Sequence, residues 1–346
     1  MKRKILLLLF SAGASLLFAR GMEFFSNTEL ETTYTNNALK LSNYDLKRFE
    51  DGNENKFKLE TSDDLIISQR LEIGLKHHLF AGHTQIGRIV FKFNKHLQNG
   101  ILDDGYLGIS VRQYLSRRFN FQLSYFYYPE IYVNRYRSVL DNSNIYRDFT
   151  YSKNSYSFTM NWKAHELAEL TYRSGFTQLF YNKYFTEYDA INFDNKITAS
   201  LFPRNKIRTS LAYEYKISNA DGADAFTDPT SVEVVKDASY QANRYSLGWV
   251  IPRLYKVGKN HLYLQTGMDY EERYFQNDDE VDQYHFRRED YVFSVDAALS
   301  CKVAKKIGLK ISGKYEERNT RSPFASVKRD KSYDLLEAGL RIRFDF

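Results

Sequence analysis

The chain has 346 residues and a formal charge of +6, with 28 Tyr and 26 Phe against 5 Pro and 43% hydrophobic residues. A single cysteine, Cys301, excludes an internal disulfide and a multi-cysteine metal site, and so small a charge on so long a chain excludes the electrostatic footprint of a nucleic-acid binder. This length makes either two soluble domains or one large barrel, and the abundance of Tyr and Phe with few prolines favours strands.

At the N-terminus, Lys2, Arg3 and Lys4 precede Ile5 to Phe18, an apolar run interrupted only by small residues. This is the outline of a secretory signal over residues 1–19, with cleavage after Ala19 or Gly21. The run is short for a transmembrane helix, and no cysteine follows it to carry a lipid. Loss of the three basic residues takes the formal charge from +6 to +3, or to +2 if Arg20 leaves as well. The remaining chain, 22–346, is expected to form one domain with no separate unit ahead of its first strand.

From there the sequence alternates apolar and polar residues in segment after segment, the period of a strand with two different faces. In chain order the strands are predicted at Phe24 to Tyr34, Leu65 to Leu79, Thr84 to Leu97, Gly105 to Leu115, Phe119 to Arg137, Asp148 to Lys163 and Leu167 to Tyr181. They continue at Tyr188 to Phe202, Ile207 to Ser218, Ala238 to Ile251, His261 to Tyr274, Tyr284 to Val303, Ile307 to Arg318 and Arg329 to Phe346. Pro129 marks a bulge late in the fifth strand. Cys301 falls on the apolar face of its strand, as a small buried or lipid-facing residue.

The connections come in two kinds that alternate strictly. Short ones are read at Phe80 to His83, Ser116 to Arg118, Ala164 to Glu166, Pro203 to Lys206, Pro252 to Asn260 and Ala304 to Lys306. Longer or more acidic ones are read at Asn43 to Asp63, Gln98 to Asp104, Ser138 to Arg147, Asn182 to Glu187, Asn219 to Lys236, Phe275 to Gln283 and Asn319 to Lys328. A soluble sandwich has no reason to sort its loops in this way.

The last strand carries Leu340, Ile342, Phe344 and Phe346 at every second position and ends on that phenylalanine. With the leader and the loop alternation, this pattern resembles the outer-membrane β-barrels of Gram-negative bacteria, in which the final strand is the signal read by the barrel assembly machinery. The resemblance spans the whole mature chain and points to no single family. It implies an all-β, transmembrane, antiparallel up-and-down barrel of about 14 strands, with short periplasmic turns and longer outer loops. It also implies an integral place in the bacterial outer membrane, in contact with lipid and lipopolysaccharide.

Motifs that imitate other chemistry are weaker. Gly308 to Lys314 has the spacing of a phosphate-binding loop, but Tyr315 follows where Ser or Thr would hold magnesium, and the segment alternates as a strand. His77, His78 and His83 crowd a short turn without a carboxylate, and Asp278, Asp279, Glu280 and Asp282 lack the ordered spacing of a calcium loop. His285 with Asp282 and Asp290 is the one grouping that fits a rim hydrolase. No catalytic residue, cofactor or metal is expected.

Strand parity turns a set of charges inward. Arg70, Arg88, Lys92 and Arg112 lie on strands two to four, Lys310, Lys314, Arg341 and Arg343 on the last two, and Glu29 and Glu31 interrupt them on the first. Because the last strand closes on the first, these basic groups share one side of the lumen. Such a wall suits a channel for passive diffusion of small hydrophilic solutes, anionic ones among them. The alternatives are a closed barrel that serves as a scaffold, adhesin or assembly partner through its outer loops, and the rim hydrolase at His285.

Overall fold

The computed structural model describes residues 22–52, 56–79, 82–137, 145–202, 207–220, 237–258 and 260–346. The expected signal with its cleavage site at Ala19 or Gly21 lies outside them, as do 138–144 and 221–236 of two long connections and 80–81 and 203–206 of two short ones.

Fourteen antiparallel strands follow one another around a closed barrel. They are β1 (Glu23–Thr35), β2 (Asp64–Leu79), β3 (His83–His96), β4 (Asp104–Tyr114), β5 (Phe119–Arg137), β6 (Tyr146–His165) and β7 (Ala168–Tyr181). The second half is β8 (Ala190–Leu201), β9 (Arg208–Ala220), β10 (Tyr240–Val257), β11 (Asn260–Phe275), β12 (Glu289–Ala304), β13 (Ile307–Arg321) and β14 (Tyr333–Asp345). Each strand pairs with its sequence neighbours, and β1 closes on β14 in a register that sets Glu29 opposite Arg343 and Glu31 opposite Arg341. Closure satisfies every strand edge, which a two-faced sheet of this size otherwise leaves exposed.

The apolar face of each strand points outward. Leu211 is 60% and Ile311 57% exposed, and Leu30, Phe91, Leu123, Phe193 and Leu340 belong to the same outer surface. The polar set is turned in: Ser68, Ser110, Asp194, Ser200 and Glu316 are buried. A protein with its greasy residues outside and its charges inside is built for an apolar surround, because water would charge about 25 cal/mol for each Å² of that exposed surface.

The expected elements hold, the Pro129 bulge among them, with three adjustments, each made by a local feature. At Pro129 the register shifts between Tyr128 and Ile131, the bulge expected from a residue that cannot donate to the ladder. Pro252 does not end β10: the strand bulges through 252–254, with Arg253 at φ 58°, and resumes to Val257, so the chain begins to turn at Gly258, at φ 59°. The strand expected from Tyr284 starts at Glu289, because Tyr284–Arg288 turns back on itself, with Arg287 at φ 46°. The last strand starts at Tyr333 instead of Arg329, since Ala325–Lys331 forms a helix, α2.

A second helix, α1 (Asn43–Glu50), interrupts the first long connection, where Ser42 Oγ accepts a hydrogen bond from Asp45 N at 3.1 Å and so caps it. Single 3-10 turns at Gly100–Leu102 and Thr186–Tyr188 shape two more long connections. All of these lie at one rim. At the other rim, where the chain ends, the connections among the described residues are short.

Candidate functional site

Two cavities occupy opposite walls of the lumen. The first, about 420 Å³, is bounded by β14 and β1–β4 and brings together six of the expected residues: Glu29, Glu31, Arg70, Lys92, Arg341 and Arg343. Their charges are interleaved. Glu29 is 3.1 Å from Arg343, 3.7 Å from Arg341 and 3.9 Å from Arg70. Glu31 takes Arg341 at 2.8 Å, and Glu72 holds Arg70 at 2.5 Å and Arg88 at 3.3 Å. Glu29 is therefore a bridge between arginines from both sides of the barrel seam, while Glu31, among the described residues, serves Arg341 alone. Counting the neighbouring Arg88 and Asp345, which is 2.8 Å from Arg343 Nε, five cations face four carboxylates here, so the wall keeps a positive surplus of one, carried most openly by Lys92, which has no ion-pair partner among the described residues.

The other expected residues lie apart from this cavity. Arg112 donates twice to Gln122 Oε1, at 2.9 and 2.7 Å. Lys314 pairs with Glu316 at 2.6 Å, and that carboxylate also holds Lys40 at 2.5 Å and the Tyr333 hydroxyl at 2.7 Å. Lys310 stands opposite Arg341 in the β13–β14 register, without an ion-pair partner among the described residues. On β14, Leu340 faces outward, Ile342 pairs with Leu30 and Leu309, and Phe344 with Thr28 and Ile307. Phe346 is 67% exposed and its N–H donates to Ser26 O at 2.9 Å.

The second cavity, about 450 Å³, is bounded by β6–β11 near the long-loop rim. Lys153, Arg173, Lys216 and Arg273 point into it among tyrosines, with Asp194 and Glu214 as the acids. Lys153 and Arg273 were not singled out from sequence, although the parity that turns Tyr156 outward places Lys153 inward, and that of Glu271 does the same for Arg273. Gly175 allows Asp194 its position, since any side chain there would collide with that carboxylate.

Above both cavities the long connections fold inward and pack on one another. Arg329 of α2 lies 3.5 Å from the ring centroid of Tyr44 in α1, and Asp45 pairs with Lys56 at 2.5 Å. Phe149 gathers Tyr136, Phe185 and Tyr188 within 4.7–5.2 Å between centroids. Phe185, Val327 and Leu335 are almost fully buried, although they belong to loops or strand ends. Lys331 sits 5.3 Å from the Tyr136 ring and 5.2 Å from that of Tyr284. Burial, with Arg288 and Arg318 close by, pushes its pKa down to about 7 despite Asp290 and Asp45.

The grouping at His285 is real in part. Its Nδ1 is 2.7 Å from Asp282 Oδ2, and burial outweighs that carboxylate to hold the imidazole pKa below its usual value. Asp290 instead binds Arg288 through both oxygens, at 2.9 and 2.5 Å, and accepts from Thr320 Oγ1 at 2.8 Å. The ring of His285 rests against Tyr188 and Phe275, with centroids 5.9 and 5.5 Å away. Among the described residues no group of three or more His, Cys, Asp or Glu is gathered as a metal would require. Gly308–Lys314 runs as part of β13.

No protein-family profile matches the chain, and no curated protein is similar to it at a significant level. Solved structures of similar architecture include a bacterial polysaccharide outer membrane secretin, at 8% identity over 92% of this chain and 98% of that one, with a TM-score of 0.47. The outer membrane channel DcaP of Acinetobacter baumannii is 12% identical over 94% and 97% of the two chains, with a TM-score of 0.47. An anion-selective porin from Comamonas acidovorans is 8% identical over 94% and 99%, with a TM-score of 0.44.

Proposed function

We propose that this chain is a bacterial outer-membrane channel for passive diffusion of small hydrophilic solutes, with a preference for anions. The observation that carries the reading is the inside-out barrel itself: an apolar exterior on every strand around a lumen lined by ion pairs and two polar cavities. At fourteen strands a barrel is wider than the eight-stranded case that side chains alone can fill. The positive surplus around Arg341, Arg343 and Lys92 favours anions over cations of the same size. In this reading the short turns face the periplasm, and the long connections meet the exterior.

Swelling of liposomes that contain the refolded protein tests this directly. Isotonic pentoses and small organic anions should enter and swell them, while larger oligosaccharides should not. Folded barrels that give no swelling with any small solute would contradict the proposal.

The folded loop cap favours a second reading, a closed barrel whose outer loops are the working part. Its acidic segment 278–282 is in the described cap, whereas 221–236 lies outside the described residues. Loss of partner capture on deleting residues 276–283 from a barrel that passes no solute would support it.

A further inference from the structure

The wall formed by β6–β11 places two lysines without acidic partners, among the described residues, together with two partly paired arginines. Lys153 lies over the Tyr128 ring, 4.9 Å from its centroid, and Lys216 donates to the Tyr240 hydroxyl at 2.6 Å. Neither has a carboxylate within ion-pair distance among the described residues. Arg173 is 3.9 Å from Asp194, a loose contact, and Glu214 is committed to Lys196 at 3.5 Å. Arg273 spends one terminal nitrogen on Glu271 at 2.7 Å, while its Nε has no hydrogen-bond partner among the described residues. The site thus offers donors and positive charge to an anion.

Charge is not all it offers. Asn192 is 4% exposed, lines the same cavity, and its Oδ1 accepts no hydrogen bond among the described residues; neither does Asp194 Oδ2. A buried acceptor left without a donor costs about 1–3 kcal/mol, so a ligand that brings O–H groups is favoured over one that brings only oxygens. A bare carboxylate or an inorganic anion has no such donors. The rings of Tyr240 and Phe275, 5.5 Å apart between centroids and inclined by 47°, add apolar surface to the lining. The volume, about 450 Å³, lies within the range of about 300–1,000 Å³ common for small-molecule sites.

We propose that this cavity, just inside the cap, is a binding site for a sugar acid: a polyhydroxylated ring whose carboxylate meets Lys153, Lys216 and Arg273 and whose hydroxyls donate to Asn192 and Asp194. The inference deepens the channel reading, on which it rests for a path by which solute enters, and it makes the lumen selective for a solute class as well as for charge. A weak site along a conduction path speeds its own solute at low concentration, provided the solute can leave again.

Titration calorimetry on the folded protein in detergent, with D-glucuronate, D-glucose and acetate as separate probes, tests it. Glucuronate is expected to bind at least ten-fold more tightly than either of the others. Lys153→Gln, which breaks no ion pair, is expected to weaken glucuronate at least five-fold, with Lys216→Gln as a second variant. Asn192→Leu is expected to erase the advantage of glucuronate over acetate. Equal binding of glucuronate and acetate, equal binding of glucuronate and glucose, or unchanged affinity in both lysine variants would overturn the site. Glucuronate binding by a barrel that passes no solute would keep the site and remove the channel; solute passage without glucuronate binding would do the reverse.

Discussion

Glu29→Gln should make the pore more anion-selective. Glu29 bridges Arg343, Arg341 and Arg70 at 3.1, 3.7 and 3.9 Å, so its amide leaves three guanidiniums in place and removes the charge they share. Around that cavity Arg70, Arg88, Lys92, Arg341 and Arg343 face Glu29, Glu31, Glu72 and Asp345, a surplus of one that the variant raises to two. For an ion passing about 8 Å away, one unit charge is worth about 0.5 kcal/mol in bulk-like water and about 2 kcal/mol at an effective dielectric constant of about 20. A lumen of water between low-dielectric walls falls between these limits, so anion occupancy should rise about two- to thirty-fold. Reversal potentials across a potassium chloride gradient measure this, and the shift should shrink as salt is raised. A conducting Glu29→Gln barrel with the parental reversal potential at low salt would refute the argument that this wall sets the ion preference.

Lys331 makes the cap pH-dependent. Its folded pKa, about 7, lies below the unfolded value of about 10.4. Between those values the unfolded loop therefore binds more protons, and cap stability rises as pH climbs through that window and is flat below it. Amide exchange in 325–331, corrected for the intrinsic rate, should slow from pH 7 to pH 9 in the parent and lose that dependence in Lys331→Met; the same profile in both would refute it. On the exterior, Leu340→Arg places a charge near the middle of β14 and should cost about 2–4 kcal/mol in denaturant titrations of folding into lipid vesicles. A cost under about 0.5 kcal/mol would mean that this face does not meet hydrocarbon. Deleting Phe346 removes one backbone bond, to Ser26, and should change stability in vesicles by about 1 kcal/mol or less. The fraction assembled in the outer membrane of cells should nevertheless fall several-fold, and unchanged assembly would dismiss the terminal signal.

The barrel is legible in the chain because strand parity is a local property: Leu336 to Phe346 states its two faces without help from any other segment, and so does Phe119 to Tyr127. Errors cluster where another element overrides the local rule. Tyr284–Arg288 keeps a strand-like composition, but His285 and Phe286 are drawn into the cap and the chain turns to follow them. Pro252 reads as a stop, yet a bulge absorbs its missing donor. The helix at Asn43–Glu50 carried a readable start, Ser42 followed three residues later by Asp45. The cap itself was not readable, since it depends on meetings such as Tyr44 with Arg329 and Phe149 with Phe185, which only closure of the barrel brings together. The same holds for the lumenal charges. Parity gives the wall to which Glu29 and Arg341 belong, but register decides that they form ion pairs and sets Lys153 and Lys216 beside tyrosines.

The central claim is that water and ions pass through the lumen. Single-channel recording of refolded residues 22–346 in planar bilayers tests it most directly. The account predicts stable current steps with a measurable anion preference. Silence from barrels shown to be folded and inserted, at any pH between 6 and 9 and with the cap helix 325–331 deleted, would contradict it.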